Sequence, residues 1–176
     1  MPKKQETGAL VAVIMGSDSD LREMAPCFDT LDAFGIKYDS TIASAHRTHE
    51  YLKSVVSGFE RSGGRVVIAA AGGAAHLPGV VAALTALPVI GVPMGSKLLG
   101  LDSLLSIAQM PAGMPVAVVA IGGSKNAALL AAQILALNDA ALRKKYADFR
   151  AKQADAVIAK SKRLKQKGHK DYFDKG

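Results

Sequence analysis

The chain holds a single cysteine, Cys27, among its 176 residues. One thiol excludes an internal disulfide and cannot assemble a thiolate metal cluster, so neither a secreted disulfide scaffold nor a zinc module is expected. Charge of either sign is missing between Arg65 and Lys97. A hydropathy window placed there would report a membrane span. However, Gly72, Gly73, Pro78, Gly79, Pro88, Gly91 and Pro93 interrupt the run, and two buried parallel strands around a short helix read the same way, so no membrane is expected. The opening MPKKQETGAL is basic but has no apolar stretch or cleavage site of a signal peptide, and the expected location is cytoplasmic. Also missing are G-x-G-x-x-G, a P-loop and a G-x-S-x-G elbow, which leaves no sign of a dinucleotide, a nucleoside triphosphate or a hydrolase serine.

Hydrophobic residues make up 49% of the sequence, enough for one well-buried core in a chain too short for two ordinary domains, so residues 1–176 are expected to form a single domain. The net charge of +7 is local. Residues 143–176 carry 12 Lys and Arg against 4 Asp and Glu, and the remainder is close to neutral. With few aromatics in that tail and no RNA- or zinc-binding signature, it is read as a solvated helix face, with no nucleic-acid partner.

Apolar, β-branched runs recur at residues 10–15, 38–42, 66–70, 87–92 and 116–121, separated by stretches with helical spacing. That alternation is the βαβ signature and predicts a parallel sheet with helices on both faces. Leu21, Met24, Phe28 and Leu31 mark the first helix, and Gly35 stands where a left-handed cap belongs. Leu52, Val55, Val56 and Phe59 mark the second. Further helices are expected near 79–86, 102–110 and 124–137, the last with Ser124 as N-cap. A long amphipathic helix over about 140–167 shows Leu142, Tyr146, Phe149, Val157 and Leu164 as its apolar stripe. Its length exceeds what a domain of this size covers, so part of the stripe is expected to pack on another subunit.

In open parallel sheets, ligands bind outside the carboxyl ends of the strands, where the strand order switches. The segments following the strands are therefore the informative ones. After the first comes GSDSD, residues 16–20. Ser17, Ser19 and Asp20 suit helix capping, and together with Gly16 they equally suit a sugar-phosphate cradle in which N–H groups take the anion and a carboxylate takes a ribose diol. After the second comes SAHRTH. Ser44 and Arg47 can reach one phosphate there, and His46 beside them offers an imidazole that can move a proton. His49 falls on the first helical turn as an exposed residue, and a His46/His49 metal pair has no third ligand, so no metal is expected. After the third strand, AAGGAAHLPG offers almost nothing larger than a methyl before His76. That surface lets a planar ligand lie against backbone, with Gly72 and Gly73 presenting N–H groups, or lets a helix pack closely on the sheet. No aromatic residue lies in any of these segments, which argues against a flavin, and the third lacks the acceptor aspartate of a signalling receiver.

In order along the chain, MGSDSD, SAHRT, AGGAAHLPG, LPVIGVP, GLDSLLSIAQMP and KNAALLAAQILAL resemble the class I N5-carboxyaminoimidazole ribonucleotide mutases of purine synthesis over residues 11–137. The resemblance implies a flavodoxin-like three-layer α/β/α sandwich with about five parallel strands, assembled as a homo-octamer whose sites neighbouring chains help to build. It implies transfer of a carboxyl group from an exocyclic amine to the adjacent ring carbon of an aminoimidazole ribonucleotide, with no metal or organic cofactor. His46 matches the general acid/base of that family. Ser17, Asp20, Ser44 and Arg47 match its nucleotide-binding segments, and Ala71, Gly72 and His76 match the loop that lines the base and the released carbon dioxide. Three departures stand out: His49 replaces a usual proline, Ala70 a common glycine, and the segment MGSKLLGLDS is one residue short. The nearest rival is the class II carboxylase, which takes the decarboxylated ribonucleotide and free carbon dioxide.

Overall fold

The structure, a computed structural model, describes residues 8–173; the basic segment 1–7 lies outside the described residues. The chain divides into two compact units between Leu135 and Ala136. In the first, β1 (Val11–Met15), α1 (Leu21–Phe34), β2 (Tyr38–Ile42), α2 (His49–Arg61), β3 (Val66–Ala71), α3 (Leu77–Leu84), β4 (Val89–Pro93), α4 (Leu101–Ala108) and β5 (Ala117–Val118) alternate as the sequence predicts. A 3-10 turn, Asp18–Asp20, precedes α1, and α5 (Ser124–Ala136) follows β5. All pairings are parallel, in the order β2-β1-β3-β4-β5.

That order is set by burial. Every residue of β1, β3 and β4 is buried, and these strands are the continuous apolar runs of the sequence; β2, exposed at three of its five positions, occupies an edge. Val11 pairs with Tyr38 on one side and Val66 on the other, so the chain leaves β1 in one direction and returns past it. The reversal opens a crevice beyond the carboxyl ends of β1 and β3.

One sheet face packs Ala12, Ile14, Val67 and Ala69 against Leu52, Val56 and Phe59 of α2, Leu77 and Val81 of α3 and Ile107 of α4. Ile14, Leu52, Ile68 and Ile90 are at most 1% exposed. Each such side chain contributes about 1.5–3 kcal/mol on burial. Helix α4 lies close because Gly91 has no side chain: a Cβ there would stand 2.4 Å from Ile107 Cγ2.

Three local expectations need correction. In α1 the buried stripe is Met24, Cys27, Leu31 and Phe34, whereas Leu21 is 44% exposed and Phe28 lies half-buried with its ring 5.4 Å from that of Tyr38. Ser124 does not cap α5 but is its first residue, and its buried hydroxyl donates to the Glu23 carbonyl 2.7 Å away. The last strand shrinks to two residues, because beyond Val118 the chain follows β4 only through Val119 N–H to Gly91 O and Gly122 N–H to Pro93 O. The glycine cap is as expected: Gly35 has φ +68°, and Ile36 N–H reaches Leu31 O at 2.9 Å.

The second unit is dominated by α6 (Ala140–Lys167), with Asp139 accepting the Leu142 N–H at its start and Gly168 capping its end. Of the predicted stripe, Leu142 is buried and Tyr146 and Phe149 are half-buried, whereas Val157 and Leu164 are 65% and 45% exposed. Among the described residues, no helix is long and apolar enough to cross a membrane.

Candidate active site

The first wall of the crevice is made by the turn after β1. Gly16 N–H bonds to Ala70 O, which ties the turn to β3. Ser17 then forms a capping box: its hydroxyl accepts the Ser19 N–H, and the Asp20 carboxylate accepts the Ser17 N–H at 3.2 Å. The Ser19 hydroxyl donates to the Ser17 hydroxyl at 3.0 Å. Burial pushes the Asp20 carboxyl above the usual carboxylate range, against the opposing bonds from Ser17 and Ser19.

The second wall is the SAHRTH turn. Ser44 N–H donates to the Thr48 hydroxyl, and Thr48 N–H returns to Ser44 O at 3.0 Å, which closes one turn ahead of α2. Arg47 donates from its backbone and from Nε to the Ser44 hydroxyl, both at 3.3 Å, so the rest of its guanidinium fork is held beside that hydroxyl. His46 projects from the middle of the turn. His49 stands on the first turn of α2, exposed, and does not line the cavity.

The third wall is the loop from Ala71 to His76. Gly73 adopts φ +66°, a left-handed conformation that glycine enters without steric cost. A Cβ on Gly72 would lie 3.4 Å from Gly95 O, so this backbone rests against the end of β4. The loop carries His76 across the crevice to His46: His46 Nε2 and His76 Nδ1 are 2.8 Å apart, with the rings edge to face at 85°. Neutral imidazole has one donor and one acceptor nitrogen, so a contact this short fixes the two tautomers relative to each other.

The three turns enclose a cavity of about 460 Å³. Gly16, Ser17, Ser19, Asp20, Ser44, His46, Arg47, Ala71, Gly72 and His76 line it together, whereas Gly73, also singled out from the sequence, is not part of the lining and donates its N–H to the Ser103 hydroxyl. Gly95, whose N–H points to the Glu23 carboxylate at 3.5 Å, lines it as well. The segment after β4 stands out in the sequence only as one residue short, with no role for Gly95; the strand-end position itself was the signal that could have found it. Among the described residues, no three His, Cys, Asp or Glu side chains gather closely enough to hold a metal ion. Chemically, the cavity lining combines a guanidinium and hydroxyls of the kind that can take an anion, a carboxyl group that can bond to hydroxyls, a pair of imidazoles that can pass a proton, and backbone of small residues.

The family model described as AIR carboxylase matches residues 10–156. A Thermotoga maritima protein named N5-carboxyaminoimidazole ribonucleotide mutase is 49% identical over 165 residues, covering 93% of this chain and 96% of that protein. A Pyrococcus horikoshii protein of the same name is 52% identical, covering 93% of each. The crystal structure of Treponema denticola PurE superposes with a TM-score of 0.83 at 32% identity, over 89% of this chain and 99% of that one.

Proposed function

The chain belongs to the AIR carboxylase family, and from that footing together with the histidine pair we propose that it is an N5-carboxyaminoimidazole ribonucleotide mutase, an isomerase of purine biosynthesis. The observation that carries this is the 2.8 Å contact of His46 with His76 in the lining of a cavity that also holds the hydrogen-bonded Ser44–Arg47 pair.

The chemistry asks for one mobile proton. When the N–COO⁻ bond of the carbamate breaks, carbon dioxide departs and the exocyclic nitrogen must gain a proton. When the adjacent ring carbon attacks that carbon dioxide, the same carbon must lose one. A single imidazole that gives a proton and takes one back closes the balance, and His46 is the group in reach. Arg47, Ser44 and Ser17 fit the phosphate, Asp20 the ribose hydroxyls, and Ala71, Gly72 and His76 the ring and the transient carbon dioxide. A wall of fixed backbone dipoles, rather than water, holds the small neutral molecule for recapture. The reaction so described requires no cofactor.

We further take residues 1–176 as one mutase domain that works in the cytoplasm as a homo-octamer, with α6 packing on neighbouring subunits. In support, Leu98 and Leu99, on the loop that follows Gly95, and Leu101, the first residue of α4, are 64%, 88% and 53% exposed, an apolar surface a few residues from the cavity lining that a second copy would cover.

The test is turnover of the carbamate ribonucleotide without added carbon dioxide. Wild-type protein should isomerise it, and His46→Asn should lose about 10²- to 10⁴-fold in kcat while still binding the ribonucleotide. Turnover that appears only with the decarboxylated ribonucleotide and added carbon dioxide would reassign the protein to the carboxylase class.

A further inference from the structure

The loop that delivers His76 is anchored at a point well away from the two histidines. Gly73 N–H donates to the hydroxyl of Ser103 at 2.9 Å, across 30 residues of sequence. Ser103 stands in the first turn of α4 and is completely buried. It is in turn held by its neighbours: its own N–H donates to the Asp102 carboxylate at 3.0 Å, and the Ser96 hydroxyl donates to the same carboxylate oxygen. Ser96 also accepts the N–H of Gly100, closing the turn that starts α4. That turn includes Leu99 at φ +56°, a left-handed conformation that L side chains rarely adopt.

From Gly73 onward the chain has little freedom. Ala75 N–H bonds to Gly73 O at 2.8 Å, His76 N–H to Ala74 O at 2.6 Å, and Val80 N–H to His76 O at 2.9 Å as α3 begins. Fixing Gly73 therefore fixes where the His76 ring starts. Buried hydroxyls are costly unless bonded, and a small apolar residue would fill the Ser103 site equally well if packing were all it served.

We propose that Ser103 is a positioning residue: its buried hydroxyl pins Gly73 and thereby sets the reach of His76 to His46. The inference rests on the mutase reading for its kinetic consequence, but not for the pinning itself.

The test compares Ser103→Ala, Ser103→Cys and Ser103→Thr in the full-length protein, by hydrogen exchange and by steady-state kinetics with the carbamate ribonucleotide. In Ser103→Ala the amides of residues 72–76 should exchange about tenfold faster, the equivalent of one lost hydrogen bond, while the β1 and β3 amides keep their protection. Its kcat should fall roughly 10- to 100-fold with KM nearly unchanged, the mark of misaligned groups rather than lost binding. Ser103→Cys, with a weaker acceptor, should fall between, and serves as the deletion if the alanine variant does not fold. Ser103→Thr, which keeps the hydroxyl, should recover both readouts. Wild-type exchange at residues 72–76 in the alanine and cysteine variants, or equal losses in all three, would overturn the proposal. A wild-type protein that leaves the carbamate untouched would instead overturn the mutase assignment, and the pinning would then stand or fall on exchange alone.

Discussion

His46 and His76 show how little a residue's chemistry depends on its type and how much on what faces it. Each alone is an exposed histidine at the mouth of a turn. At 2.8 Å they become a donor and acceptor pair with a fixed orientation. Asp20 illustrates the same point through charge. Its carboxyl is raised chiefly by burial, so the folded protein holds that proton to higher pH than the unfolded chain does. The sign follows: between the ordinary aspartate range and the raised folded value, the native state binds more protons, and stability falls as pH rises through that window. Asp20→Asn removes this dependence. The difference in unfolding free energy between wild type and Asp20→Asn, measured by urea titration across mildly acid pH, should therefore decline with rising pH; a flat difference would mean Asp20 is not held protonated by the fold. Cys27, pushed up to about 12 by burial, is a core side chain and no nucleophile. The ten lining residues named from the sequence were legible because each sits within a few positions of a strand end. Gly95 had the same address, but its segment carries no run of hydroxyl, charged or paired-glycine residues to mark it as Gly16 and Gly72 are marked.

At the scale of elements, β4 and α4 carry the tightest constraint. Gly91 must stay bare because Ile107 and Val116 press on it, with atoms 2.4 and 3.1 Å from where a Cβ would be. Gly91→Ala should cost about 1–3 kcal/mol of stability by overpacking. Chemical denaturation reads this directly, and an unchanged midpoint would show that α4 shifts freely. The positions of the strands and helices were legible from hydrophobic period and punctuation. Which side of α1 faces inward was not. Leu21, Met24, Phe28 and Leu31 fit a helical stripe, yet the buried set is displaced toward Cys27 and Phe34. Two overlapping apolar stripes satisfy the same spacing, and only the sheet beneath selects between them. Likewise, the sequence places Ser124 well for a cap, but its hydroxyl bonds to Glu23, a partner 101 residues away.

For the whole molecule, the exposed leucines just before and at the start of α4 carry the prediction. If Leu98, Leu99 and Leu101 lie between copies in an octamer, sedimentation of wild-type protein should give a single large species. Leu98→Asp with Leu101→Asp should then shift it to smaller ones and lower turnover, because the same loop begins at the cavity lining; an unchanged sedimentation coefficient would place the interface elsewhere. The sequence by itself determined the βαβ order, the parallel sheet and the residues at the strand ends, because period, turn chemistry and buried runs are local properties. Only the tertiary structure decided that His76 meets His46, that Gly95 joins the cavity and that Ser103 holds Gly73. Those contacts join segments far apart in the chain, 30 residues for each of the two hydrogen bonds, and their geometry follows from sheet register and helix packing, which no local spacing encodes.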